Sequence, residues 1–326
     1  MTFVTKITAW TVLALASHYQ TYAQPTPKLK QAAVDSLQQF SRATYTDAFM
    51  LVHEGETIYH WQNSDCDAPT FNTASMVKSW TGLVIGILID KGLIQGEDAT
   101  VCQYIPDWQD GCEHAVTIKD LLTMSAGINR KRGAEGILDE KDMNAYAKSI
   151  KLDTLPGVRF NYSNASVQLL SIVIEKASKK TAGEVFEEVL FQPLGMDSTF
   201  LFQDEAGNDI VYGGATTTLE DASQVGQFML NEGKYNGRQI VSGSWIQKSV
   251  SPSEHASFYG YLWWLDNNSK YKNFAATGDF GQMTIVFPDL DLVYLRQQTC
   301  NKDVSGNMPW MGPPFLEMIG DVVVDD

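Results

Sequence analysis

The stretch Ala74-Ser75-Met76-Val77-Lys78-Ser79-Trp80-Thr81-Gly82-Leu83-Val84-Ile85-Gly86-Ile87-Leu88-Ile89-Asp90-Lys91-Gly92-Leu93 decides how this chain is read. It follows Asn72-Thr73, a helix-start signal, and Gly92 supplies the stop, so the spacing predicts one helix over Ala74–Leu93. From Gly82 to Ile89 the helix is apolar on every side, which places it between layers of structure rather than on the surface. Ser75 and Lys78, three residues apart, share a face near its N-terminal end. There the Lys78 amine meets the Ser75 hydroxyl, and the first turn of a buried helix adds partial positive charge and desolvation, both of which lower a lysine pKa. A neutral amine can take the serine proton, and the Ser75 N–H in the same turn offers one half of an oxyanion hole.

Upstream, Ala48–Val52 and Thr57–Trp61 flank the turn His53-Glu54-Gly55-Glu56, a β-hairpin pattern. Downstream, Thr117-Ile118-Lys119-Asp120 and Thr181-Ala182-Gly183-Glu184 have capping-box spacing, Val167–Ala177 reads as a helix, and Thr218 starts another that runs to Leu230. Arg130–Asp142, rich in charge and glycine, reads as a mobile connection or lid. The pattern then changes: Tyr259–Leu265, Tyr271–Ala275, Met283–Phe287 and Leu292–Arg296 are aromatic and β-branched, with Asn267-Asn268 and Pro288-Asp289 as turns, which predicts sequential antiparallel strands. Strands at both ends with helices between them predict an α+β fold, an antiparallel β-sheet flanked by helices with an inserted, mostly helical portion. The sheet portion is expected over about 24–72 and 205–326, and the helical portion over about 95–204.

The chain carries 24 Lys+Arg against 39 Asp+Glu, a formal charge of −15, and no basic run, which is the wrong field for nucleic acid. Its 44% hydrophobic and 11% aromatic content is that of a packed protein rather than a disordered one. Residues 1–23 hold one lysine, a short apolar run Ile7–Ala16, and the small residues Thr21 and Ala23 ahead of Gln24, which reads as a signal peptide. No other segment suggests a membrane span, and the expected location is periplasmic or secreted. In such an oxidising compartment Cys66, Cys102, Cys112 and Cys300 can pair in three ways. Cys102 and Cys112 flank a loop and form the natural local pair, which leaves Cys66 and Cys300 for a long-range one; four free buried thiols stay open as the alternative.

Other chemistries find less support. Gly-x-Ser-x-Gly is absent, and His18, His53, His60, His114 and His255 have no metal-ligand spacing, so neither a metal nor a cofactor is called for. A second Ser-x-x-Lys, Ser269-Lys270-Tyr271-Lys272, lies in a turn running into a strand, where residues three apart point to opposite faces. Tyr162-Ser163-Asn164 precedes the helix Val167–Ala177: a Tyr beside a Lys can share its proton and serve as general base, and the Asn164 amide can donate to a substrate carbonyl. Asn161 and Asn164 also open formal glycosylation sequons, and a glycan on either would bury the Tyr162 site.

With these motifs go Leu121-Leu122-Thr123-Met124-Ser125-Ala126-Gly127, Phe160-Asn161-Tyr162-Ser163-Asn164, Leu190-Phe191-Gln192-Pro193-Leu194-Gly195-Met196, and Gly213-Gly214-Ala215 followed by Leu219-Glu220-Asp221. In this order the chain resembles the serine β-lactamase and penicillin-binding-protein superfamily, on its class C β-lactamase and esterase branch. The resemblance implies a β-lactamase/transpeptidase-like fold with its active site between sheet and helical portion. It also implies Ser75 as nucleophile, Lys78 as its partner, Tyr162 as general base, and Asn164 as a substrate-orienting residue. The superfamily's Lys-Thr-Gly strand motif is missing. Lining up Ala276-Thr277-Gly278-Asp279-Phe280-Gly281-Gln282 with the strand and turn puts Asn273-Phe274-Ala275 in its place, with the Ala276 N–H as the second oxyanion donor and no cationic anchor for a substrate carboxylate. Gly278–Gln282 resembles esterases and nylon-oligomer amide hydrolases, and Gln282 either packs or positions substrate. The expectation is a serine hydrolase acting on a small ester or amide through an acyl-enzyme. D-amino-acid peptidase, weak β-lactamase or a non-catalytic penicillin-binding-like sensor are the alternatives, and the oligomeric state is open.

Overall fold

The computed structural model describes residues 29–300 and 312–323, so the signal-peptide reading of residues 1–23 lies outside the described residues. The first helix, α1 (Gln31–Ala43), buries Val34, Leu37 and Ser41, a single stripe at helical spacing. The expected hairpin follows as β1 (Ala48–His53) and β2 (Glu56–Gln62). All six residues of β1 are buried, because the strand is covered on both faces. Phe49 and Leu51 pack with Val34 and Leu37 of α1, while Ala48, Met50 and Val52 point to the opposite core, the two-residue alternation of a strand.

The quoted stretch forms a 3₁₀ turn, Ala74–Met76, leading into α2 (Val77–Asp90). Every residue from Val77 to Leu88 is buried, as an all-apolar helix requires. Trp245 approaches so closely that a Cβ on Gly86 would lie 2.1 Å from its Nε1, which itself donates to the Gly82 carbonyl at 3.0 Å. The chain then runs through short helices, both expected capping boxes at Thr117 and Thr181, and the longer α3 (Asn164–Ser178) and α4 (Leu219–Leu230). Between residues 131 and 135 the lid segment is a π-helical turn.

The chain returns to the sheet with β3 (Trp264–Asp266), β4 (Asn273–Gly278), β5 (Gln282–Phe287) and β6 (Leu292–Gln297), and α5 (Pro313–Gly320) closes it. The order across the sheet is β2-β1-β6-β5-β4-β3, with every neighbour antiparallel. α1 and α5 cover one face, and α2 and α4 lie on the other with the helical portion behind them. The fold is therefore the mixed helix and antiparallel-sheet architecture expected from the sequence.

One strand differs from expectation. Tyr259–Leu262 is not extended: Leu262 has a positive φ of 63°, and a Cβ on Gly260 would lie 2.1 Å from the Ser249 carbonyl oxygen. The aromatic run there is core packing, with Tyr259 and Trp263 almost wholly buried, and only Trp264–Asp266 joins the sheet. Among the described residues no helix is long and apolar enough to cross a membrane.

Candidate active site

The nucleophile candidate stands where the sheet meets the helical portion. Thr73 donates its N–H to the Ala215 carbonyl at 2.8 Å, and the Asn72 side chain accepts the Ala74 N–H at 2.8 Å, so the entry to the 3₁₀ turn is pinned on both sides. Ala74 is held at φ 45°, a strained value for a non-glycine residue that persists only where its surroundings enforce it. Ser75 comes next, half-buried at the mouth of a cleft, and Lys78 lies on the first turn of α2 with 1% of its surface exposed.

Lys78 Nζ lies 2.7 Å from Ser75 Oγ and also donates to the Tyr212 carbonyl. Burial lowers its pKa from 10.5 to about 7, and the negative charge of Asp279 works against that fall. Near neutral pH a large fraction of Lys78 is the free amine, whose lone pair can accept the Ser75 hydroxyl proton. The Lys78 nitrogen also sits 5.1 Å from the ring centre of Tyr162 and 5.4 Å from that of Tyr212, so an ammonium formed there meets two aromatic faces. Tyr162 is pushed up to about 12, chiefly by burial, partly offset by its hydrogen bond with Ser75. Its ring stacks on Trp264 at 5.9 Å between centroids. Burial favours the protonated phenol at Tyr162 and the free amine at Lys78, which makes Lys78 a candidate base in this geometry.

The cleft of about 590 Å³, a size suited to a small molecule, is lined by Ser75, Tyr162, Asn164, Tyr212, Trp264 and, along one wall, Thr277-Gly278-Asp279. Arg130, Ala134, Glu135 and Leu138 of the lid segment form the facing wall. Asn164 lines the cleft as expected, but its Nδ2 donates to the Ala134 carbonyl at 2.6 Å and its Oδ1 is buried without a partner. The Asn161 Nδ2 donates to the Ile128 carbonyl, two residues ahead of the lid, so only Asn164 of the sequon asparagines is tied to the lid itself.

Two expected substrate contacts are corrected. Ala276 is wholly buried, stands opposite Thr284 inside the β4–β5 ladder, packs into the main core, and does not line the cleft. Gln282 donates to the Gln298 carbonyl at 2.7 Å and accepts the Gln298 N–H at 3.0 Å, so both ends of its amide are engaged and it packs. Asn273 is remote too: its Nδ2 closes the β3–β4 turn onto Ser269 and the Tyr271 carbonyl. The wall residues are thus Thr277-Gly278-Asp279, further along the strand than the sequence alignment placed the motif. Beyond Ala275 β3 no longer pairs with β4, which opens the edge of β4 toward Ser75. Ser269, the second Ser-x-x-Lys serine, is bound to Asp266 in the same turn and takes no part in the cleft.

Sequence reading missed Gly278, Asp279, Tyr212 and Trp264 as site residues. Gly278 and Asp279 stood inside the quoted Ala276–Gln282 stretch, and the usable signal was the glycine. A Cβ at Gly278 would lie 2.3 Å from the Thr73 carbonyl oxygen and 3.0 Å from the Ser75 nitrogen, so only glycine lets the strand pass the nucleophile. We expect Gly278→Ala to fold and to lose on the order of 10²-fold in kcat/KM by displacing Ser75. Ester turnover measured beside a melting curve checks this, and unchanged kcat/KM would refute the close approach.

Known proteins share this sequence family and fold. The sequence family described as Beta-lactamase matches residues 30–304. The 6-aminohexanoate-dimer hydrolase of Paenarthrobacter ureafaciens is 23% identical over 316 residues, covering 85% of this chain and 79% of that protein. Among solved structures, EstCE1, a hydrolase with promiscuous acyltransferase activity, superposes with a TM-score of 0.71 at 16% identity, covering 90% of this chain and 98% of its own. The octameric penicillin-binding protein homologue from Pyrococcus abyssi gives a TM-score of 0.67 at 20% identity, covering 82% and 74%.

Proposed function

The chain belongs to the β-lactamase family, and on that premise we propose that it is a serine hydrolase that cleaves a small amide or ester through an acyl-enzyme on Ser75. The observation that carries this reading is the buried Lys78 amine, lowered to about 7 and 2.7 Å from the Ser75 hydroxyl. In the proposed sequence Ser75 Oγ attacks the carbonyl carbon while its proton passes to Lys78 Nζ. The developing oxyanion is held by the Ser75 N–H and by the Asp279 N–H at the open edge of β4, the role earlier expected of Ala276. Tyr162, still protonated and with its ring centre 5.1 Å from Lys78 Nζ, hands its proton to the departing oxygen or nitrogen and takes one back from the Lys78 ammonium, which returns to the free amine. Water then attacks the ester of Ser75, its proton returns through the same groups, and the acid product leaves.

The relatives named as hydrolases support an amide or ester over other acyl donors. Among the described residues no cation stands on the β4 wall of the cleft, and Arg130 on the facing lid is its one lining cation, which weighs against the strand-lysine recognition of a carboxylate that a β-lactam or a penicillin-binding sensor would use. Two disulfides, Cys66–Cys300 and Cys102–Cys112, support an oxidising compartment and hence export from the cytoplasm, by way of residues 1–23. Intact-mass analysis after exposure to a fluorophosphonate tests the reading. One adduct on the wild type and on Ser269→Ala, lost in Ser75→Ala, is expected. Wild-type protein that is folded and takes up no adduct would sink it.

A further inference from the structure

Asp279 is exposed in the cleft, on the same wall as Gly278 and the open edge of β4. Among the described residues it forms no ion pair; the six pairs found there all lie elsewhere. Its charge nonetheless reaches the catalytic groups, since it raises both Lys78 and Tyr162. Around it the cleft is aromatic: Phe160, Tyr162 and Trp264 line the same space. Tyr162 and Trp264 stack, and Phe258 stacks on Trp264 in turn, so this wall is a packed aromatic layer. A carboxylate in a cleft otherwise lined largely by aromatic and small residues attracts an ammonium ion by direct charge. On the lid, Arg130 and Glu135, one charge of each sign, line the facing wall. Among the described residues the charged lining, Arg130, Glu135 and Asp279, therefore carries one net negative charge, in a molecule whose net charge of −15 already favours cations.

We infer that Asp279 is a specificity-determining residue that selects substrates carrying an ammonium group, so that the ester or amide cleaved here is the derivative of an amine-bearing acid or alcohol. The inference rests on the hydrolase reading above and adds the substrate's charge to it. A substrate with a free carboxylate at the same position meets repulsion from Asp279, where a strand lysine would have held it.

Two matched ester pairs test it. On the acyl side, p-nitrophenyl 6-aminohexanoate is compared with p-nitrophenyl heptanoate, in which a methyl replaces the ammonium. On the leaving side, the heptanoate ester of 2-aminoethanol is compared with propyl heptanoate. The wild type is expected to prefer the ammonium member of at least one pair by about tenfold in kcat/KM, the effect of one partly screened charge pair. Asp279→Asn should reduce that ratio to near one, Asp279→Lys should turn it below one, and added salt should weaken it in the wild type alone. Reading the ratio within each variant cancels any change in Lys78 common to both esters. Turnover of all four esters with ratios near one, or ratios unmoved by Asp279→Asn, overturns the inference and leaves the hydrolase standing. A wild type labelled by fluorophosphonate that hydrolyses only the neutral esters, or none, overturns it as well. Absence of both labelling and turnover removes the hydrolase reading with it.

Discussion

Replacing Lys78 by methionine is expected to abolish hydrolysis and, below neutral pH, to make the protein more stable. The activity loss follows from the site: Lys78 is the group placed to take the Ser75 proton, and the high pKa of Tyr162 keeps it from substituting. Removing a positioned general base that works as a unit with its nucleophile costs at least ~10³-fold. The stability gain follows from burial. The amine has a pKa of about 7 in the folded protein against 10.5 in water. Between those values the unfolded chain binds the proton that the folded one has released, so stability rises with pH across that window. The penalty for burying Lys78 is therefore largest below about pH 7 and vanishes above about 10.5. Methionine fits the apolar surroundings and removes that penalty, though it leaves the Tyr212 carbonyl without its donor. A net gain of roughly 2 kcal/mol below neutral pH is expected, a rise of several degrees in Tm, shrinking as pH increases. Melting curves of both proteins at pH 6 and pH 10 check this beside kcat/KM. The wild-type kcat/KM should also fall about tenfold per unit of pH below about 7, as Lys78 takes up its proton. A variant that keeps activity within tenfold, or that melts earlier at pH 6, would show that Lys78 is neither base nor burden.

The same lysine marks how far the sequence can be read. Ser75 and Lys78 were legible because an all-apolar helix with its polar residues at one end has one place for them, and helical spacing does the rest. The hairpin was legible from two short apolar runs around a glycine turn, and the closing strands from their aromatic and β-branched content between turn residues. The position of the motif along β4 was not. Asn273-Phe274-Ala275 and Ala276-Thr277-Gly278 are both small or apolar triplets, and a two-residue period does not say where along a strand the cleft falls. What decides is the missing Cβ of Gly278, which acquires meaning only against the Thr73 carbonyl more than 200 residues away in sequence. Gln282 stayed open for the same reason, since its two partners are both on the backbone of Gln298 on the neighbouring strand's end. Tyr212 enters through its carbonyl oxygen, and a backbone group carries no signature in residue type. Helix α1 carries Ala33, Val34, Leu37 and Phe40 at helical spacing, a legible stripe to which sequence reading assigned no element.

The two disulfides are expected to contribute unequally to stability, with Cys66–Cys300 the larger by a margin that melting curves resolve. Cys66–Cys300 joins residues 234 apart, whereas Cys102–Cys112 spans 10. In the chain-entropy account the longer loop withdraws more freedom from the unfolded state, roughly 5 kcal/mol against 2–3. The folded side points the same way. Cys300 follows directly from β6 and Cys66 lies in the loop after β2, so the bond fastens the strands on either side of β1 to one another. Its surroundings are already ordered: the buried Asp47 carboxylate accepts the N–H groups of Thr299 and Cys300, and the Gln297 side chain donates to the Ala68 carbonyl at 2.9 Å. These hydrogen bonds hold the two cysteines together in the folded state but do nothing to the unfolded one, where the covalent bond acts. The double variant Cys66→Ala/Cys300→Ala should therefore melt about 10 °C below the wild type, and Cys102→Ala/Cys112→Ala less far below it. Both should keep kcat/KM on a neutral ester near the wild-type value at 25 °C, because neither bond touches the cleft. Equal losses, or a larger loss for the short loop, would mean that the unfolded chain already holds residues 66 and 300 close together, and that the long bond restrains little.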